Sequence, residues 1–171
     1  MEKNIKTNQA ILYSGEVHIY YETGKTFTHI NKHNTGEIPL FTAITLALGE
    51  RMEDAKEFIP KYLMGVQDVG GGIFENCFNI NALVQDRKYF LDDVLSNGSA
   101  NNRIRYTFVV HLSSILPDKI VTRLQLKNKQ NQICATIDLE QAEQINTNLT
   151  ASLLIYWDLK FADAGVETPV I

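Results

Sequence analysis

Residues 103–112 read RIRYTFVVHL, and the reading of this stretch decides the fold. Ile104, Tyr106, Phe108, Val110 and Leu112 occupy every second position, with Arg103, Arg105, Thr107, Val109 and His111 between them. Side chains alternate between the two faces of a strand, so one face of this segment belongs to a core and the other to solvent or a partner. Toward the C-terminus the pattern returns in residues 153–161. Leu153, Ile155, Trp157, Leu159 and Phe161 share one side, and Leu154, Tyr156, Asp158 and Lys160 share the other. A strand this long and apolar suits the interior of a sheet, because an exposed edge of that kind invites aggregation. Between the two, residues 120–126 and 133–139 read as strands around a turn at 128–131, and Pro117-Asp118 marks a turn before them.

Toward the N-terminus, residues 14–21 and 26–31 are extended runs around Thr23-Gly24, which predicts a hairpin. The period then changes. Leu40, Phe41, Ile44, Leu46, Ala47 and Leu48 crowd a wide helical face, with Pro39 tolerated in the first turn and Gly49 suited to the end. Asn34 and Glu37 have the spacing of a capping box. A second helical piece over 52–58 must stop by Pro60, so the helical insertion covers residues 37–59. Tyr62, Met64 and Val66 restore the strand period. Gly70-Gly71-Gly72 lacks the following helix that a phosphate cradle needs, since residues 73–84 continue extended, and it reads as a flexible connection. Many strands and one helical block predict a mainly β fold: a single antiparallel β-sandwich domain over residues 1–171, with one helical insertion in its N-terminal third. The N-terminal hairpin and helix read as a separate attachment packed onto the strands from Arg103 onward.

The chain has 171 residues, 44% hydrophobic and 21% charged, which is enough to bury a core and far from the composition of disordered chains. A net charge of −4 without clustered Lys and Arg argues against direct nucleic-acid binding. Residues 1–9 are polar and the apolar stretch 38–48 is too short to span a bilayer, so a soluble chain with no membrane association is expected. Cys77 and Cys134 lack CxxC spacing and read as buried free thiols.

A two-residue turn at Thr23-Gly24 sets His18 opposite His29, within reach of a shared metal, with Glu16 two residues away on the same face. Tyr20 and Phe27 fall on that face as ordinary packing residues, and a polar or subunit-facing surface is the favoured reading, with no metal and no cofactor assigned. His111 with Ser113 or Ser114 lacks the nucleophile elbow of a hydrolase, and Asp92-Asp93 lacks the spaced oxygen ligands of a calcium loop. No catalytic residue is nominated, and the expectation is a protein that is not an enzyme. Contacts with partners are expected instead. The turn-rich stretch 96–102, with Asn97, Gly98 and Asn101, reads as a contact loop. Outward-facing Val109, Leu154 and Tyr156, and a flexible arm at 164–171, complete the set.

Two stretches carry a resemblance. His33-Asn34-Thr35-Gly36, followed by Leu40-Phe41 and Ala47-Leu48-Gly49, resembles a pattern in small virion proteins of tailed bacteriophages, where a strand hairpin leads through an H-N-x-G turn into an apolar helix. Residues 120–126, 133–137 and 153–161, the last containing I-x-W-x-L-x-F, are similar to the closing strands of tail, neck and capsid-associated β-sandwich modules. Gln125-Leu126-Lys127 departs from the Gly-Leu-Tyr-like element common there. The resemblance implies a structural role in the virion, made in the host bacterial cytoplasm, with other copies of the chain and other virion proteins as partners. It implies no catalytic residue. The competing reading is a β-sandwich binding module for carbohydrate or a host surface, which needs exposed aromatic platforms, whereas Trp157 falls on the core face.

Overall fold

The structure is a computed structural model, described here for residues 11–23, 26–91 and 101–163. In chain order its elements are β1 (Ile11–Thr23), β2 (Thr26–Gly36), α1 (Ile38–Leu48), α2 (Met52–Ala55), β3 (Pro60–Gly70), β4 (Ile73–Asn76), β5 (Ala82–Leu83) and β6 (Asp86–Phe90). There follow β7 (Asn101–Val110), β8 (Ile120–Val121), β9 (Arg123–Asn128), β10 (Ile133–Asp138), β11 (Ile145–Asn146) and β12 (Thr150–Asp163). No helix among the described residues is long and apolar enough to cross a membrane.

Every strand pairing is antiparallel, and the neighbours run β4-β3-β9-β10-β2-β1-β12-β7-β6. This path folds into two layers. The first sheet is β4-β3-β9-β10, with β5 also on β3, and the second is β2-β1-β12-β7-β6. The layers join at one margin through the short β2–β10 pairing, Gly36 opposite Ala135 and Thr35 opposite Thr136. At the other margin β5 pairs with β3, the Val84 amide donates to the Lys61 carbonyl, and the Gln85 amide donates to the Thr107 carbonyl before β6 joins β7. The chain is thus an antiparallel β-sandwich with a helical block in its N-terminal third.

The core lies between the layers, as the alternation requires. Val17 and Ile19 of β1, Tyr106, Phe108 and Val110 of β7, and Leu153, Ile155, Trp157 and Leu159 of β12 are buried in one cluster with Leu63, Leu124, Leu126 and Ile137 of the first sheet. Register aligns them in rows: Val17, Trp157 and Tyr106 in one, Ile19, Ile155 and Phe108 in the next. Each such side chain contributes about 1.5–3 kcal/mol on burial. β12 sits between β1 and β7, the interior position expected for it.

Several details differ from the sequence reading. The N-terminal hairpin is no attachment, because β1 pairs with β12 from Ile11 to Thr23 and carries two core residues. His33 to Gly36 continue β2 and enter α1 directly, so no turn separates them. The Asn34–Glu37 capping box is also absent. Glu37 is the extended residue before α1 and makes no side-chain cap bond, while its amide donates to the Cys134 carbonyl at 2.8 Å. Helix α2 ends at Ala55, short of residue 58. Residues 120–126 split at Thr122 between β8, which pairs with β11, and β9. Leu112 leaves the strand for a 3-10 turn and is exposed.

Gly70-Gly71-Gly72 is a tight turn. Gly70 pairs with Ile73 across a two-residue loop, and Gly71 and Gly72 have φ of 64° and 75°. Positive φ at both central residues is what a type I′ hairpin turn demands. Ala at either position is therefore expected to destabilise the fold by about 1 kcal/mol, the cost of a left-handed non-glycine residue. A flexible connection would instead gain stability from Gly→Ala, so the sign of the change in urea midpoint separates the two.

The buried neutral acids give a second expectation. Burial raises the Cys134 thiol and the Tyr106 hydroxyl to about 12, and the Cys77 thiol to about 11 against an opposing pull from Lys119. The unfolded chain releases these protons near 9 for Cys and 10 for Tyr. Their contribution to stability is complete below pH 9 and is lost as pH rises toward 12. Between its own unfolded and folded values each group costs about 1.4 kcal/mol per pH unit. Denaturation at pH 8 to 11 should show a steep alkaline decline that Cys134→Ala makes shallower, and thiol reagents should label Cys77 and Cys134 only on unfolding.

Candidate functional site

The outer face of the second sheet gathers most of the residues singled out from the sequence. Period two turns Glu16, His18 and Tyr20 outward from β1, Leu154, Tyr156 and Asp158 from β12, and Arg103, Arg105, Thr107 and Val109 from β7. Register then arranges them in rows. Asp158 lies opposite Arg105 on one side and Glu16 on the other, Tyr156 opposite Thr107 and His18, and Leu154 opposite Val109 and Tyr20.

Asp158 anchors the face. It is fully buried although it points away from the sandwich core, because its neighbours close over it. Arg105 grips it in a bidentate pair, Nε to Oδ1 at 2.7 Å and Nη2 to Oδ2 at 3.0 Å, and Arg103 Nη1 stands 3.5 Å from Oδ2. The Arg105 guanidinium lies 4.7 Å from the Tyr156 ring centre, and Arg103 lies 4.2 Å from that of Phe90. Hydrogen bonding to Asp158 is the main reason that Arg105 holds its proton more tightly than an ordinary arginine. Beside this pair, His18 Nε2 and Glu16 Oε1 are 3.1 Å apart.

His29 does not join His18. The β1–β2 register pairs Thr23 with Thr26, which places the loop at Gly24 and Lys25, one residue later than Thr23-Gly24. His18 therefore pairs with Asn31, and His29 with Tyr20. The side chain of His29 lies outside the described residues. Asp158 takes its place, since one donor atom each from Glu16, His18 and Asp158 falls within 4.8 Å of the others. The donor chemistry runs against a metal. Two guanidinium groups already oppose the charge of Asp158, and a cation would have to enter beside them.

Val109, Leu154 and Tyr156 come together, half-buried, along an open groove of about 490 Å³ that Tyr20, Ala151 and Ser152 help to line. Tyr20 and Tyr156 meet edge to face with ring centres 5.7 Å apart. Asn97 and Gly98 lie outside the described residues, as do Asp92, Asp93 and the arm at 164–171. Asn101 opens β7 opposite Ala162, and its side chain is likewise outside them. His111, Ser113 and Ser114 sit in an exposed or half-exposed 3-10 turn joined by a backbone bond from the Ser114 amide to the His111 carbonyl. A second concavity of about 500 Å³ is polar, with Arg123 salt-bridged to Asp138 at 2.6 Å and lying 4.6 Å from the Phe74 ring centre.

The Arg105–Asp158 pair escaped sequence reasoning, although a signal exists: Asp158 interrupts the outward row Leu154, Tyr156 at the phase that Arg103 and Arg105 occupy in the other long strand. Only the pairing of β7 with β12 converts that into a contact.

Removing one partner of a buried ion pair strands the other, so Arg105→Met is expected to cost about 3–5 kcal/mol. Arg103→Met, which loses the 3.5 Å contact and the stacking of its guanidinium on Phe90, should cost clearly less. Urea unfolding of the two variants tests the order, and equal losses would contradict the assignment of Arg105 as the principal partner.

No family model, curated protein or solved structure matches the chain.

Proposed function

We propose that the chain is a non-enzymatic structural component of a tailed-bacteriophage virion, in the neck, the tail or the capsid-associated layer. It acts through contacts with copies of itself and with neighbouring virion proteins. One observation carries the reading beyond the sequence resemblance: large apolar side chains stand exposed on several elements. Ile38, Phe41 and Leu48 do so on α1, Val69, Ile73 and Phe74 on the β3–β4 hairpin, and Tyr89 and Leu91 at and just beyond the end of β6. Grouped apolar surface of this kind marks sites covered in an assembly, because water solvates it poorly and a partner removes that cost.

The carbohydrate-binding alternative draws less support. Trp157 is fully buried, and Arg123 already stacks on Phe74 in the polar concavity. Sedimentation equilibrium with negative-stain imaging of the purified chain should give masses that are multiples of 19.4 kDa, with discrete particles. Mass spectrometry of purified virions should find the chain in many copies. A monomer at all concentrations, absent from virions, would sink the reading.

A further inference from the structure

Strand β9 alternates Leu124 and Leu126, which enter the core, with Arg123, Gln125 and Lys127, which face the other side of the first sheet. Register sets Met64 and Thr136 beside Gln125, and Tyr62 beside Lys127. Arg123 is paired with Asp138 at 2.6 Å, but the next two side chains on its face are not paired. Gln125 is only 7% exposed, and among the described residues its carboxamide has no hydrogen-bond partner. Both of its amide atoms nevertheless reach the surface through the opening that remains. Lys127 is half-buried and has no ion pair among the described residues. Burial holds its ammonium group below the usual lysine pKa, with no carboxylate to offset the effect. The hydroxyls of Thr136 and Tyr62 are unspent too, and Lys61 Nζ, 5.6 Å from the Tyr62 ring centre, adds positive potential. Asp138 and Glu57, the carboxylates of adjoining segments, are held by Arg123 and Lys129.

We infer that Gln125 and Lys127 form a binding site for a carboxylate, one oxygen accepting from Lys127 Nζ and the other from Gln125 Nε2. A buried amide and a desolvated ammonium group each lose hydration, and one anion that accepts from both restores what they lost. Residues two apart on a strand start about 6.7 Å from each other, a gap that a carboxylate taking one bond on each oxygen can span. The opening over Gln125 is narrow, which favours a flat, singly charged carboxylate over tetrahedral phosphate. Thr136 and Tyr62 stand across the neighbouring strands with hydroxyl donors for the same group. The carboxylate belongs either to a free organic acid or to an Asp or Glu of a second copy.

The test is an NMR titration of the full chain at pH 7 with sodium acetate, against sodium chloride and phosphate at equal ionic strength. The Gln125 side-chain amide signals, assigned by their absence in Gln125→Met, should shift and saturate in acetate with a Kd of about 10–100 mM. The titration midpoint of Lys127, assigned through Lys127→Met, should rise in acetate and not in chloride. Each variant, if its circular dichroism spectrum and melting temperature show it folded, should lose the response of the remaining partner. The wild-type titration needs no variant to fold, since the rise at Lys127 follows from the bound anion itself. No saturating shift in acetate, an equal response to chloride, or a folded variant that still responds overturns the site. Sedimentation equilibrium in the same two salts separates the sources. Association lost in acetate assigns the carboxylate to a second copy, and association equal in both assigns it to a free acid. A chain that is monomeric in both salts yet binds acetate overturns the self-assembly proposed above and leaves this site standing.

Discussion

The pairing of β12 along both of its edges is the constraint on which the rest of the molecule depends. β1 lies along one edge and β7 along the other, each in register over ten or more residues. A strand held this way has no freedom to slip, because a shift of one residue would carry Leu153, Ile155, Trp157 and Leu159 from the core to the surface. Once these four face inward, Leu154, Tyr156 and Asp158 must face outward. The composition of the outer face is thus a consequence of how the core is packed.

Asp158 then poses a problem that its neighbours solve. A fully buried carboxylate is expensive unless it is paired and hydrogen-bonded. Arg105 meets the need because antiparallel register puts it directly opposite, where the planar guanidinium can reach both oxygens. Tyr156 and Phe90 pack on the two arginines and keep water from competing. A buried pair of this type adds little net stability over a hydrophobic replacement, but it penalises every register that separates its members. It therefore acts to lock β7 against β12.

Two surfaces of the molecule differ in kind. On the outer sheet face, charge and aromatic groups satisfy one another and leave a shallow groove. On α1, Leu40 and Ala43 are buried, while Ile38 and Leu48 stand exposed.

Alternation in residues 103–112 and 153–161, helical periodicity in 38–48, and turn chemistry at 128–131 were legible in the sequence, because each is set by neighbours a few positions away. The class of fold, the helical block, the interior place of the last strand and the burial of both cysteines followed from them. Register between strands was not legible. Whether the first hairpin turns at Thr23-Gly24 or one residue later decides if His18 meets His29 or Asn31, and local sequence hardly distinguishes the two. The partners of Asp158 are still more remote, being 53 residues away in Arg105 and at the other end of the chain in Glu16. Contacts of that kind come from the pairing of whole strands, whose energy is spread over many residues at once, so only the tertiary structure decided them.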